Sequence, residues 1–144
     1  MNTPHASDVL ATPVRTDADV LARVAAILDL DDETGNLSTL WLFFIGPDGH
    51  QSDVVVPIDP LPDAPDSELA DNVCRIVAQV LSGSLPGGQA IITLSRPGAA
   101  RPAGDDFAWL RALQEGAARH ATPVRMLCLA TPEGVSELGP AAPA

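Results

Sequence analysis

Four residues near the middle of the chain are candidate binding residues, and two of them are arginines that could hold an anion. Ser95, Arg96 and Arg101 surround a short loop that follows an apolar run, and Asp106 stands at the start of the next amphipathic segment. Guanidinium groups bind carboxylates and phosphates through paired N–H donors, and the free N–H groups at a helix N-terminus favour the same ligands. Loops at the carboxyl ends of central strands are common ligand sites. The alternative is that Asp105 and Asp106 pair with these arginines and only hold the loop in place.

Other catalytic residue sets are poorly represented. Three histidines are present, and none is paired at a spacing that suits a metal site: His5, His50 and His120. Both cysteines, Cys74 and Cys128, lie in apolar patterns, whereas a thiol nucleophile needs an exposed, electropositive setting. No Gly-x-Ser-x-Gly motif surrounds Ser95, and no glycine-rich phosphate loop precedes a helix. We therefore predict no catalytic residue, no metal and no cofactor.

The charge of the chain limits its partners. Nineteen acidic residues face eight basic ones, all of them arginine, for a net charge of −11. Such a chain is repelled by phosphate backbones and by anionic membranes, so nucleic acid and membrane partners are not expected. Residues 1–14 lack the features of a secretory signal, and no run reaches the roughly 18 apolar residues of a transmembrane helix. We expect a cytoplasmic protein with two reduced thiols.

The periodicity of apolar residues predicts the elements that position the loop. Residues 1–16 and 139–144 are expected to be flexible tails around a single domain at 17–138. Three stretches have helical spacing, and five short apolar runs read as strands, the first two forming a hairpin. The helices are expected at 17–30, 66–82 and 106–120, and the strands at 40–45, 53–58, 90–94, 126–130 and 135–138.

The buried faces of these elements follow from the same spacing. Val77 and Ile92 should be buried, in the second helix and the central strand. If Phe107 joins Leu110 inside, Trp109 is pushed to the flank of the third helix, because the two aromatic residues lie far apart on the helical wheel. A flanking Trp is a typical interface anchor, which makes Trp109 an interface candidate. The alternative, that Trp109 packs within its own chain, stays open.

The order of elements predicts an α/β fold. A helix that joins two buried strands implies a parallel pair with a right-handed crossover, whereas the hairpin adds an antiparallel pair. We therefore expect a three-layer α/β/α sandwich with a mixed sheet. Pro57 should place the second hairpin strand at the edge of that sheet.

The order and the loop lengths of residues 37–138 resemble the RadC-like branch of the JAB/MPN family. In that family a buried strand runs into a His-x-His-Pro-Ser-Gly loop, and a Ser-x-x-Asp at the next helix start completes a zinc site. The matching positions here are Leu94, Ser95 and Arg96 before Pro97-Gly98, then Ala103 and Asp106. Both histidines and the serine are missing.

The resemblance implies a degenerate family member with the fold of a zinc metalloprotease but without its metal ligands. Metal-free MPN members scaffold active partners, so the predicted function is that of a non-catalytic module that associates with another protein or with itself. The second hypothesis is an anion or small-molecule binding protein, or an enzyme with a displaced site, that uses the Arg96/Arg101 loop. An exposed apolar surface on the first helix or the hairpin edge would favour association. A deep pocket with unpaired arginines would favour the second hypothesis.

Overall fold

A computed structural model of the protein describes residues 13–28, 38–59, 61–62 and 64–139, with only the backbone described at Asp53. In these ranges the chain forms three helices and five strands. In chain order they are α1 (Asp17–Leu28), β1 (Thr39–Ile45), β2 (Gln51–Ile58), α2 (Ser67–Ser84), β3 (Gln89–Ser95), α3 (Gly104–His120), β4 (Val124–Thr131) and β5 (Gly134–Gly139).

The five strands form one mixed sheet in the order β2-β1-β3-β4-β5. Strands β3 and β4 are parallel, and the other neighbouring pairs are antiparallel. The predicted parallel pair, the hairpin and the central position of residues 90–94 are therefore confirmed. Pro57 lies on β2, which is an edge strand as expected.

The sheet separates two hydrophobic cores, because successive side chains of a strand point to opposite faces. Leu42 and Phe44 of β1 pack with helices α2 and α3, whereas Phe43 and Ile45 pack with α1 on the other face. Helices thus cover both faces of the sheet, and the predicted α/β sandwich is confirmed at this level. Val77 of α2 and Ile92 of β3 are both buried, as predicted.

The two thiols lie in different cores. Cys74 belongs to the core beneath α2 and α3, and Cys128 to the core beneath α1, so the sheet stands between them. Both are free cysteines. Burial raises the pKa of Cys74 to about 11 and that of Cys128 to about 12, which keeps both thiols protonated at neutral pH.

Helix α3 buries Trp109 within its own chain, which is the alternative that the sequence left open, and exposes Phe107. Trp109 is 1% exposed and its indole Nε1 donates to the carbonyl of Pro62 at 3.4 Å, whereas Phe107 is 52% exposed. Trp109 is therefore not a surface anchor here, and the placement of Phe107 in the core is wrong. The reason lies at the start of the helix: Asp106 points inward, and a residue three positions later lies on the same helical face.

The chain packs against the rest of the protein from an earlier residue than we predicted. Val14 is buried, and its N–H donates to the carbonyl of Gly49 at 2.7 Å in the turn of the β1–β2 hairpin. Thr16 and Asp19 then exchange backbone–side-chain hydrogen bonds that begin α1. The predicted flexible tail is wrong for residues 13–16, while residues 1–12 and 140–144 lie outside the described part of the chain. None of the helices in that part is both long and apolar enough to cross a bilayer.

Candidate functional site

The site lies where β3 ends and the chain turns toward α3. The N–H of Arg96 donates to the carbonyl of Ala130 in the parallel neighbour β4 at 3.1 Å, so Arg96 extends the strand by one residue. Because Leu94 packs with α2 and α3, alternation places Arg96 on that face and Ser95 on the α1 face. Ser95 is buried within the sheet. The structure therefore separates Ser95 from Arg96, although the two are adjacent in sequence.

The guanidinium of Arg96 uses all five of its N–H groups within the chain. Nε donates to both carboxylate oxygens of Asp106 at 2.9 and 3.1 Å, and Nη2 donates to Oδ2 at 2.7 Å. Nη1 donates to the carbonyls of Pro97 and Ala99 at 2.9 and 3.0 Å, and Nη2 also donates to the carbonyl of Arg101 at 3.1 Å. Since a guanidinium has five N–H donors and no acceptor, Arg96 has no donor left for an external anion.

Asp106 is the buried half of this ion pair, with a side chain that is 3% exposed. It also accepts a hydrogen bond from the backbone N–H of Ala103 at 2.8 Å. Ala103 is the N-cap residue of α3, and its own side chain has no acceptor to cap the helix. Burial raises the pKa of Asp106, but hydrogen bonds from Arg96 and Ala103, with the charge of Arg96, outweigh burial and lower it overall. The bond to Asp106 in turn raises the pKa of Arg96. Both groups are therefore charged at neutral pH.

The second arginine of the loop takes no comparable part. Arg101 contributes its carbonyl to Arg96, and its exposed side chain has no hydrogen bond or ion pair among the described residues. Of the four predicted site residues, the structure brings together only Arg96 and Asp106. These two residues form an arginine–aspartate pair that holds the loop, which is the alternative to an anion site that the sequence analysis left open.

A small cleft lies beside the ion pair. Its volume is about 70 Å³, well below the roughly 300–1,000 Å³ of small-molecule sites. It is lined by Ser38, Leu61, Pro62, Leu94, Arg96, Asp105, Asp106 and Trp109. Sequence reasoning missed the contribution of Trp109 and of the connector between β2 and α2. The signal for Trp109 was available, because positions 106, 109, 113 and 116 recur at helical spacing.

Leu94 and Arg96, the two positions that the resemblance aligned with histidines, have side chains that do not bind cations. Leu94 is buried in the core, and Arg96 is itself a cation that forms an ion pair with Asp106. Within the described part of the chain no three His, Cys, Asp or Glu residues come together as a possible metal site. His50 lies 3.2 Å from Asp48 in the hairpin turn, and His5 lies outside the described residues.

A second polar cluster joins α2 to α3. Asp71 accepts a hydrogen bond from Arg119 Nε at 2.8 Å, and His120 Nε2 lies 3.0 Å from its other oxygen. The side chains of His120 and Arg119 lower the pKa of Asp71. Thr122 Oγ1 donates to the carbonyl of Cys74 at 2.8 Å in the same region. These contacts tie the end of α3 to α2, which is a structural role.

His120 also lines an open depression of about 600 Å³ at the opposite end of the sheet from Arg96. Its polar walls, Gln79, Ser82 and Gln89, are exposed, as in a surface hollow and not a buried ligand pocket. Comparisons with protein-family models, with curated protein sequences and with solved structures found no match.

Proposed function

We propose that the protein is a non-catalytic module, similar to a RadC-like JAB/MPN domain, that acts in the cytoplasm by association with another protein or a second copy. The observation that carries the proposal is the Arg96–Asp106 pair. It stands at the position where the resembling motif would hold a metal, and every donor of the guanidinium is used within the chain. The hypothesis of an anion site at the Arg96/Arg101 loop lacks this support, because only Arg101 is free to meet a ligand.

Exposed apolar side chains support association. Val54 is 55% exposed and Val56 is also exposed, both on the hairpin strand β2, which is one of the two surfaces where exposed apolar residues would favour association. Ile76 of α2 is 48% exposed, although it falls within the helical spacing of apolar residues in that segment. Phe107 is the exposed aromatic residue in place of Trp109. Large exposed apolar residues that cluster mark candidate interaction surfaces.

Three of these residues belong to the two elements β2 and α2 on one side of the sheet, and we call them the β2–α2 flank: Val54, Val56 and Ile76. Val56 pairs with Leu42, whose side chain faces α2, so Val54 and Val56 also lie on the face that α2 covers. Helix α3 approaches α2 at Cys74, and Ile76 lies about 160° around the helix from Cys74. Ile76 therefore points away from α3.

The strand edge itself is blocked against pairing with another strand. Arg96 donates its N–H to Ala130 of β4, so every second residue of β3, counted back from Arg96, directs its backbone N–H and C=O groups to β4. The residues between them direct their N–H and C=O groups to β1. The pairing of β3 with β1 and of β1 with β2 then fixes the same alternation in β2. The backbone groups of Val56 face β1, and those of Pro57 face the free edge of the sheet. A proline there offers no N–H, which is a known protection of sheet edges. Association at this flank would therefore use side-chain packing.

Phe107 marks a separate surface on the outer side of α3. With Ala108, Arg111, Ala112 and Glu115 it lines a shallow depression of about 350 Å³. The small alanine side chains leave the ring accessible, and aromatic residues in such positions are enriched among interface anchors. We therefore infer that Phe107, and not Trp109, is the interface candidate on this helix.

The test compares the wild type with two surface variants. Light scattering and capture from the native host with mass spectrometry would be run on Val54→Ser/Ile76→Ser and on Phe107→Ser, with Gln79→Ser as the exposed control. We expect one of the two variants to lose association while its melting midpoint stays within about 4 °C of the wild type, as for a change in stability of about 1 kcal/mol. A strictly monomeric wild type that captures no partner would contradict the proposal.

A further inference from the structure

On the face of the sheet that α2 and α3 cover, the described helices are too few for the five strands. Helix α3 contacts β4 and β5, whereas α2 contacts β3. Neighbouring strands lie about 4.8 Å apart and packed helices about 8–10 Å apart, so each helix covers about two strands. The edge strand β2 is the one left over. Its Val54 and Val56 are exposed on this face for that reason.

Ile76 of α2 faces the uncovered strand. Cys74 marks the side of α2 that meets α3, because its thiol donates to the carbonyl of Leu113 at 3.4 Å. In one direction around the helix from Cys74, Val77 and Val73 follow at about 60° and 100°, and Ile76 at about 160°. Val73 and Val77 are buried against the sheet. The sheet therefore lies between the directions of α3 and of Ile76, which puts Ile76 on the β2 side of α2.

Strand β2 and helix α2 thus form the floor and the wall of an open apolar corner. Alternate residues of β2 form the floor, and residues of α2 within about 40° of Ile76 form the wall. These residues, here called the corner, are Val54, Val56, Ile58, Leu69, Ile76 and Val80. The floor is about 13 Å long and the wall about 16 Å, which corresponds to about three turns of a helix.

The shape of the corner favours a helix over a strand. Pro57 faces the free edge of β2 and offers no N–H, so the corner is not extended by strand pairing. A helix placed about 8–10 Å from α2 would instead lie over β2 and pack on both the floor and the wall. Such a helix needs apolar residues at positions i, i+3, i+4 and i+7, the pattern of helices that bind apolar grooves.

The charges around the corner favour a basic partner. Asp59 directly follows the floor, and Asp66 and Glu68 directly precede the wall, and all three are exposed. Because residues 59–66 join the floor to the wall, these acids lie at one end of the corner. A second copy of the chain would bring the same acids and a net charge of −11. A partner with lysine or arginine at that end would instead be attracted.

We propose that the corner binds a basic amphipathic helix of another protein, which completes the helical layer over β2. This inference rests on the proposed function, association, and adds the surface and the chemistry of the partner. The bound helix is about three turns long, with one apolar face toward the corner. Its basic residues lie at the end that meets Asp59, Asp66 and Glu68.

A synthetic peptide tests the chemistry of the corner on the full-length protein. The probe is a labelled leucine–lysine peptide of about 15 residues with leucines at the spacing given above, and its control has the same composition with the leucines scattered around the helix. Fluorescence anisotropy should show Kd at least about tenfold lower for the amphipathic peptide. Equal affinity for the two peptides, or no binding of either at about 1 mM, overturns the proposal.

Two double variants locate the site. Val54→Ser/Ile76→Ser should raise Kd for the amphipathic peptide at least about tenfold, whereas Ala118→Ser, at an exposed position of α3, should leave Kd unchanged. Val54→Thr/Ile76→Thr keeps both side chains branched and should raise Kd as well, which covers a loss of strand or helix structure in the serine variant. Unchanged affinity in both double variants overturns the proposal.

The partner is tested by cross-linking in the native host, with p-benzoylphenylalanine in place of Ile76 and mass spectrometry of the product. The expected product joins position 76 to a basic amphipathic helix of another protein. A product that joins two copies of this chain overturns the choice of partner. If association is lost in Phe107→Ser but not in Val54→Ser/Ile76→Ser, this inference fails while the proposed function stands. A protein that associates with nothing overturns both.

Discussion

Substitution of Arg96 by alanine should be among the most destabilising single changes at the surface of this protein. The change leaves the Asp106 carboxylate, 3% exposed, without its cation. Removal of one partner of a buried ion pair costs about 3–5 kcal/mol, and because the Arg96 side chain is itself 18% exposed, we expect the lower limit, about 3 kcal/mol. The carbonyls of the exposed residues Pro97, Ala99 and Arg101 regain water, so their lost hydrogen bonds add little. For a domain of this size the melting midpoint should fall by roughly 10 °C.

The pH dependence distinguishes this explanation from a simple loss of packing. In the wild type the pKa of Asp106 is lowered, so its contribution to stability is present above the unfolded value of about 3.9 and is lost as the pH falls through the folded value. In Arg96→Ala the carboxyl stays buried without a cation, and its pKa should rise above the unfolded value. That variant therefore gains stability, relative to the wild type, as the pH falls from 7 toward 4.

Urea denaturation at pH 7 and at pH 4 measures both effects. The double variant Arg96→Ala/Asp106→Asn should lower the free energy of unfolding by less than the sum of the two single changes, because no unpaired buried carboxylate is left in it. Arg101→Ala is the control and should cost less than about 0.5 kcal/mol. A cost of Arg96→Ala below about 1 kcal/mol, or one that is equal at the two pH values, would refute the role of the ion pair.

Three further predictions concern the core, the metal and the thiols. Ile92→Ala should lower the free energy of unfolding by about 2–5 kcal/mol, because Ile92 is 1% exposed in the central strand. Gln79→Ala, at an exposed position, should lower it by less than about 0.5 kcal/mol. Equal urea midpoints for the two variants would contradict this sheet order. The purified protein should carry no stoichiometric zinc, since Arg96 places a positive charge at Asp106, and metal analysis that finds about one zinc per chain after mild chelation would show otherwise. Cys74 and Cys128 should resist a thiol reagent at pH 8 in the native state and react after unfolding, because burial raises their pKa values to about 11 and about 12; rapid reaction of the folded protein would argue against this burial.

The sequence by itself determined the elements and their order, because these depend on local patterns. The apolar spacing in α2, the apolar run of β1 and the turn at residues 46–49 each arise within a few neighbouring residues. They predicted the hairpin, the parallel pair β3–β4 and the burial of Val77 and Ile92. Pro57 alone indicated an edge strand, since a residue without an N–H is poorly placed inside a sheet.

Only the tertiary structure decided which face of α3 is buried and what Arg96 binds. A helical wheel accommodates either Phe107 or Trp109 in the core, and the choice depends on the inward turn of Asp106 toward a guanidinium ten residues earlier. The burial of Trp109 also needs the carbonyl of Pro62, which is 47 residues away in the chain. Local periodicity contains no information about such distant contacts. For the same reason the sequence left two roles open for Arg96, and the structure selected one by placing five acceptors around its guanidinium.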